Sequence, residues 1–295
     1  MKNTVFIHTN AKQAMGARVA AHALRRNSAH PDAFDVRIIL AEDFPFIAAF
    51  DGKTYLREGK GQVWRADDLQ SFTPLRFAVP ELMGYEGKAV ITDPDVFAIG
   101  DVNDLFAMPM NGAAVLARQM EPDHRRPMHF ASSVMLLDCA KLRHWRVAED
   151  FAALFEMKRD YRDWMWLLLE EPGVVAPLPA AWNDFDRLTP ETRMLHNTHR
   201  RTQPWKTGLP ADFTARGTTF SSRLGLMLRS LKALLTGRGA APNGYYTRHP
   251  DPAQEKLFFT LLQECIDLGL IDRQQLQSEV DRHHLRPDTL KLVRA

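Results

Sequence analysis

The chain has 295 residues, 45% hydrophobic and 25% charged, the composition of an ordinary globular protein large enough for one big domain or a domain with an appendage. Its 38 basic and 36 acidic side chains leave a net charge of +2, which gives no reason to expect a polyanionic partner, and no nucleic-acid reading motif is present. Cys139 and Cys265 stand far apart in apolar runs, as reduced buried thiols do, and no run has signal-peptide or membrane-spanning length, so the expectation is a cytoplasmic, bacterial-style protein.

In chain order, Val5-Phe6-Ile7 reads as a strand that stops at the polar trio His8-Thr9-Asn10. A helix follows over roughly 11–26, with Met15, Val19, Ala23 and Leu24 as its apolar stripe, and then a strand over 35–40. This β-α-β opening suits a nucleotide-binding sheet but has no Gly-x-Gly-x-x-Gly turn, which disfavours NAD. Residues 41–70 have little regular pattern and read as a long excursion over the active edge of the sheet. Thr73-Pro74 looks like a helix start, with Thr73 as N-cap and Arg76 inside the helix.

Next comes Lys88-Ala-Val-Ile-Thr-Asp-Pro-Asp95, a β-branched strand ending in two carboxylates. Ligands of open α/β sheets collect beyond the carboxyl ends of strands, and carboxylate oxygens suit Mg²⁺ or Mn²⁺. A bare Asp-x-Asp nevertheless marks solvated turn acids more often than a metal site. Further strands are expected over 113–116 and 130–138, with helices over about 147–157 and 161–170. Residues 121–129 read as a solvated charged loop, and Trp164, Trp166 and Trp182 as core.

Met194-Leu-His-Asn-Thr-His199 and Thr202-Gln-Pro-Trp-Lys-Thr-Gly208 read as a polar, loop-borne site. In 217–244, Leu224, Leu228, Leu231 and Leu235 recur at helical spacing among Arg223, Arg229 and Lys232. Such a basic amphipathic helix suits peripheral contact with an anionic inner membrane and equally suits packing on the domain. Pro252–Leu268 reads as a helix with Leu257, Leu261, Cys265 and Leu268 on one face, followed by a charged terminal helix.

Several of these pieces together resemble the family 8 glycosyltransferases of the GT-A fold, the group of glycogenin and the lipopolysaccharide galactosyl- and glucosyltransferases. They are the strand ending in His8-Thr9-Asn10, the Ser71–Phe77 helix, Asp93-Pro94-Asp95, the Ser132–Asp138 strand and the His196 to Trp205 region, in the right order over the first 210 residues. The resemblance implies an α/β fold, a Rossmann-like mixed sheet flanked by helices over 1–215 with a mainly helical extension over 216–295. It implies a UDP-sugar donor, Mn²⁺ or Mg²⁺, a saccharide or other hydroxyl acceptor of cell-envelope type, and retention of configuration.

By residue, the resemblance assigns Asp93, Asp95 and His196 to the metal, with His199 as the alternative third ligand. Arg76 would reach the donor's phosphates or sugar, Lys206 the phosphates, and His8, Thr9 and Asn10 the uridine, with Ser132 beside the donor. Asp163, Asp184 and Asp186, together with Arg76, are the candidates for the catalytic positions. The chain departs from the family at Ala131-Ser132-Ser133, where relatives have Asn-Ser-Gly, and at Asp163-Trp164, where they have Asp-Gln. Two other functions compete: a nucleotidyltransferase or sugar-nucleotide pyrophosphorylase, for which Ala11–Arg18 is a poor glycine- and arginine-rich loop, and a nucleotide-sugar binder without catalysis.

Overall fold

The computed structural model describes residues 2–124, 126–212 and 244–294, which form two compact units. The first takes in Met1–Asp67 and Ser71–His196, the second Asp68–Gln70 and Asn197–Ala295. Most of the expected 217–244 helix lies outside the described residues.

The strands of the first unit are β1 (Asn3–Thr9), β2 (Phe34–Leu40), β3 (Thr54–Arg57), β4 (Lys60–Val63), β5 (Lys88–Thr92) and β6 (Val96–Ala98). After them come β7 (Val115–Met120), β8 (His129–Asp138), β9 (Val175–Leu178), β10 (Asp184–Phe185) and β11 (Met194–His196). A six-stranded mixed sheet runs in the order β2-β1-β5-β8-β7-β9. β2, β1 and β5 are parallel, β8 is antiparallel to both its neighbours, and β9 is parallel to β7. Val5, Phe6 and Ile7 of β1, Ala89, Val90 and Ile91 of β5, and Val134 to Leu137 of β8 are fully buried. Strands covered on both faces read as unbroken apolar runs, which is why these were visible in the sequence.

The helix Ala14–Arg26 packs on β1 and β2 through Met15, Val19, Ala20, Ala23 and Leu24. A short 3₁₀ turn over Ala11–Gln13 precedes it. On the sheet, an aromatic core joins Phe77, which stacks on Trp164 at 4.5 Å and meets Trp145 edge-on at 4.7 Å, to Phe151, Trp64, Tyr55 and Tyr161. Trp164 and Trp182 are buried, whereas Trp166 is partly exposed. Both cysteines are free and buried, and burial pushes each thiol up to about 12, which keeps them protonated and unreactive.

Four local expectations change, one of them the helix over 161–170, which stops at Met165, with Leu167 already at a φ of 56°. Residues 41–70 hold a short helix, Pro45–Ala49, and the β3-β4 hairpin, whose turn residues Glu58 and Gly59 both have positive φ, of 54° and 69°. Such a two-residue turn requires φ > 0 at both positions and Gly59 supplies one of them at no steric cost. Thr73 is the first residue of a 3₁₀ stretch, Thr73–Ala78, rather than an N-cap, and its hydroxyl is taken up by Tyr161. In the second unit, the helix Pro252–Asp267 buries Phe258, Phe259, Leu261, Leu262 and Cys265, while Leu268 lies past its last turn and is exposed.

Among the described residues no helix is long and apolar enough to cross a membrane. Phe77→Ala removes the ring that joins Trp145 to Trp164, and is expected to lower the unfolding free energy in urea by about 3–5 kcal/mol. A loss below about 1 kcal/mol would show that these rings do not share one core.

Candidate metal and donor site

The site begins where β5 ends. Beyond Thr92 the chain continues through Asp93, whose N–H donates to the Ser133 carbonyl, then Pro94 and Asp95, and enters β6 at Val96. A three-stranded sheet of order β10-β11-β6 then carries His196 back to the acids, because its register sets His196 opposite Val96, one residue beyond Asp95. One ligand atom from each of Asp93, Asp95 and His196 can be chosen so that all lie within 4.8 Å of one another. His196 Nε2 stands 3.4 Å from Asp95 Oδ1 and 3.9 Å from Asp93 Oδ2.

The Thr73–Ala78 stretch brings in Arg76. Its Nη2 donates to both Asp93 oxygens, at 2.6 and 2.7 Å, its Nε to Oδ1 at 3.1 Å, and its Nη1 to Ser132 Oγ at 2.9 Å. Ser132 Oγ in turn donates to the Met165 carbonyl at 2.6 Å. From the end of β1, His8 places Nε2 3.0 Å from Asp93 Oδ1 and lies against the Phe72 ring at 5.1 Å. Thr9 and Asn10 are buried beside it, with Asn10 Nδ2 donating to Ser71 Oγ at 3.2 Å.

Burial alone would raise the Asp93 pKa, but the Arg76 guanidinium foremost, then His8 and His196, hold it well below the usual carboxylate range. The two histidines move in opposite directions. At His8 burial dominates and lowers the pKa against the pull of Asp93. At His196 burial also lowers it, but Asp95 and Asp93 together outweigh burial and raise it.

Asn183, which the sequence reading passed over, fixes the orientation of His196. Its Nδ2 donates to Ser133 Oγ at 2.9 Å, which turns Oδ1 toward His196 Nδ1 at 2.8 Å. An amide oxygen only accepts, so Nδ1 carries the hydrogen and Nε2 is the atom presented to the acids. A bare lone pair facing two carboxylates is repelled, and either a proton on Nε2 or a divalent cation among the three groups relieves that repulsion. Two carboxylates and one imidazole held from behind by a hydrogen-bond acceptor form a donor set that fits Mn²⁺ or Mg²⁺.

The irregularity in β8 explains the serines. Ala117 pairs with Met135 and Arg118 with Ala131, so Ser132, Ser133 and Val134 have no register partner on β7. Relieved of that ladder, Ser132 turns to Arg76 and Ser133 to Asn183.

The side chains of the remaining candidates have other partners. Asp163 is partly exposed and pairs with Arg162 at 3.1 Å. Asp184 is buried and accepts from Thr192 Oγ1 at 2.9 Å and from Arg187 Nε at 3.2 Å. Asp186, at a φ of 49°, donates its N–H to the His196 carbonyl at 2.9 Å. Lys206 and His199 belong to the second unit. There Lys206 is fully buried with Nζ 2.7 Å from Asp212 Oδ2, and His199 Nδ1 lies 3.1 Å from Thr202 Oγ1.

Without a cation, protonated His196 stabilises the fold fully below its unfolded pKa of 6.5, and this contribution is lost as the pH rises through its raised folded value. An NMR titration is expected to place the His196 midpoint above 6.5 and that of His8 below it. The reverse order would contradict this electrostatic picture. Asn183→Leu removes the acceptor behind His196 and should weaken Mn²⁺ binding about 10–100-fold, whereas Asn183→Asp still accepts from Nδ1 and should stay within a few-fold of the native protein. Calorimetric Mn²⁺ titration measures both variants, and unchanged affinity in Asn183→Leu would show that the amide does not position the ring.

No family model matches the chain, and neither does any curated protein. Among solved structures it is similar to the glycosyltransferase GlyE of Streptococcus pneumoniae TIGR4, with a TM-score of 0.50 and 16% identity over 71% of this chain. That match spans 57% of the GlyE chain. It also matches the galactosyltransferase LgtC, solved with donor and acceptor sugar analogues, at a TM-score of 0.49 and 15% identity over 70% of this chain and 91% of that one. Mouse xyloside xylosyltransferase 1 follows at a TM-score of 0.43 and 14% identity over 68% and 98%. At these identities the likeness is one of fold: the mixed sheet flanked by helices is the GT-A type shared with GlyE.

Proposed function

We propose that the chain is a metal-dependent, retaining glycosyltransferase that moves a hexosyl group from a UDP-sugar to a saccharide or other hydroxyl acceptor, of the kind used in cell-envelope glycans. The observation that carries this reading is the cluster of Asp93, Asp95 and His196 at the ends of β5 and β11 in a fold of GT-A type. UDP, retention and the cell-envelope acceptor come from the resemblance of the motifs, and Mn²⁺ or Mg²⁺ also from the donor set.

When bound, the cation neutralises charge that develops on the diphosphate as the sugar leaves. The protein's own residues then have distinct tasks. Asp93, kept ionised by Arg76, and Asp95 and His196 hold the cation's place. Arg76 carries its guanidinium between Asp93 and Ser132, and the one N–H not spent there, on Nη1, can meet a phosphate or sugar oxygen. His8, Thr9 and Asn10 line the uridine side of the same strand ends. Asp163, partly exposed on the short helix Tyr161–Met165, is assigned to the donor sugar, and Asp184 in β10 and Asp186 just after it remain candidates for the catalytic positions.

The test is release of UDP from UDP-glucose and UDP-galactose, with and without a strong chelator, in the native protein and in Asp95→Asn. Turnover should fall at least about 100-fold in both the chelated and the mutant protein, because each removes stabilisation of the leaving diphosphate. Turnover that survives both treatments would exclude metal dependence, and donor binding without turnover over a broad acceptor panel would favour a non-catalytic binder.

A further inference from the structure

Arg118 is a cation the mechanism above does not use. It is the first β7 residue beyond the register shift, opposite Ala131, and a bulge of this kind re-aims the side chain that follows it. The guanidinium lies over the Phe185 ring, 4.2 Å from its centre, and Nη1 donates to the Asn183 carbonyl at 2.5 Å. The same ring meets His196 edge-on with centroids 5.4 Å apart, so Arg118 and His196 are separated by no more than these two ring distances combined. Asn183 also joins them, holding Arg118 with its carbonyl and His196 with its side chain.

Arg118 is half-buried, and its remaining N–H groups have no protein acceptor among the described residues. Burial lowers its pKa, Asp184 acts against that, and Arg187 adds to it. Asp184 is not within ion-pair distance; its oxygens accept from Thr192 and Arg187. A guanidinium centred over a ring, partly desolvated and with donors unspent, matches a planar anion that accepts two parallel hydrogen bonds. A neutral sugar would use these donors without adding opposite charge, whereas a carboxylate would supply both.

From this we infer that Arg118 reads a carboxylate on a saccharide handled by the site, so that the donor sugar or the acceptor is a uronic acid. The inference rests on the glycosyltransferase reading and narrows its substrate class.

Calorimetry with Mn²⁺ tests it in two pairs: UDP-glucuronate against UDP-glucose on the native protein, and digalacturonate against lactose on the UDP-saturated protein. In one pair the carboxylated member should bind at least about tenfold tighter, the scale of one charge-assisted hydrogen-bond pair, and that pair identifies donor or acceptor. Arg118→Gln should abolish the preference while UDP itself binds within about threefold of native, and Arg118→Lys, which keeps the charge without the fork, should retain part of it. UDP binding with no preference in either pair overturns the inference without recourse to a variant. So does a preference that survives Arg118→Gln, or a tenfold loss of affinity for UDP itself in that variant, which would make Arg118 a diphosphate contact. A native protein that binds no UDP fails at the underlying reading, and the inference falls with it.

Discussion

The structure is governed by charge compensation at the end of β5. Two carboxylates and an imidazole converge there in buried positions, and ionised groups taken out of water are tolerated only when opposite charge meets them. Arg76 supplies part of that charge to Asp93 through three hydrogen bonds. His196 adds to it as long as it carries a proton, and a divalent cation could take the proton's place. The same arrangement that is charge-balanced with a proton on Nε2 would be balanced equally by a divalent cation in the proton's place.

The surrounding fold fixes this geometry through backbone pairing. Register sets His196 against Val96 and Asp93 against Ser133, so the positions of the groups follow from main-chain hydrogen bonds rather than from mobile side chains. Asn183 ties the small sheet to β8 through Ser133 and aims the imidazole in one step. Phe185 and Arg118 extend the same network from His196 through ring contacts.

Much of the fold could be read from the chain, for identifiable reasons. β1, β5 and β8 are covered on both faces and so appear as unbroken Val, Ile, Leu and Met runs, and the polar residues that end them stand out. Asp93 and Asp95 could be named for that reason, whereas Arg76, inside the Thr73–Ala78 stretch, could be named only through the family resemblance. The hairpin at 54–63 was hidden because Glu58-Gly59 is not one of the usual hairpin pairs. β10 and β11 have two and three residues, too few to show any period, and they are the strands that deliver His196. Asn183 looks like any loop amide until its two partners are known, and Arg118 like any strand cation until the bulge in register turns it onto Phe185. Position relative to the site, not residue type, gave both their meaning.

The most direct test of the account is calorimetric titration of UDP into the native protein in the presence of Mn²⁺ and again in EDTA. The account predicts saturable binding with Mn²⁺ at one UDP per chain, weakened at least about tenfold by EDTA, since the three ligands would act on the diphosphate only through the ion. Equal affinity in both buffers, or no binding in either, would contradict the claim that Asp93, Asp95 and His196 hold a cation for a nucleotide-sugar donor.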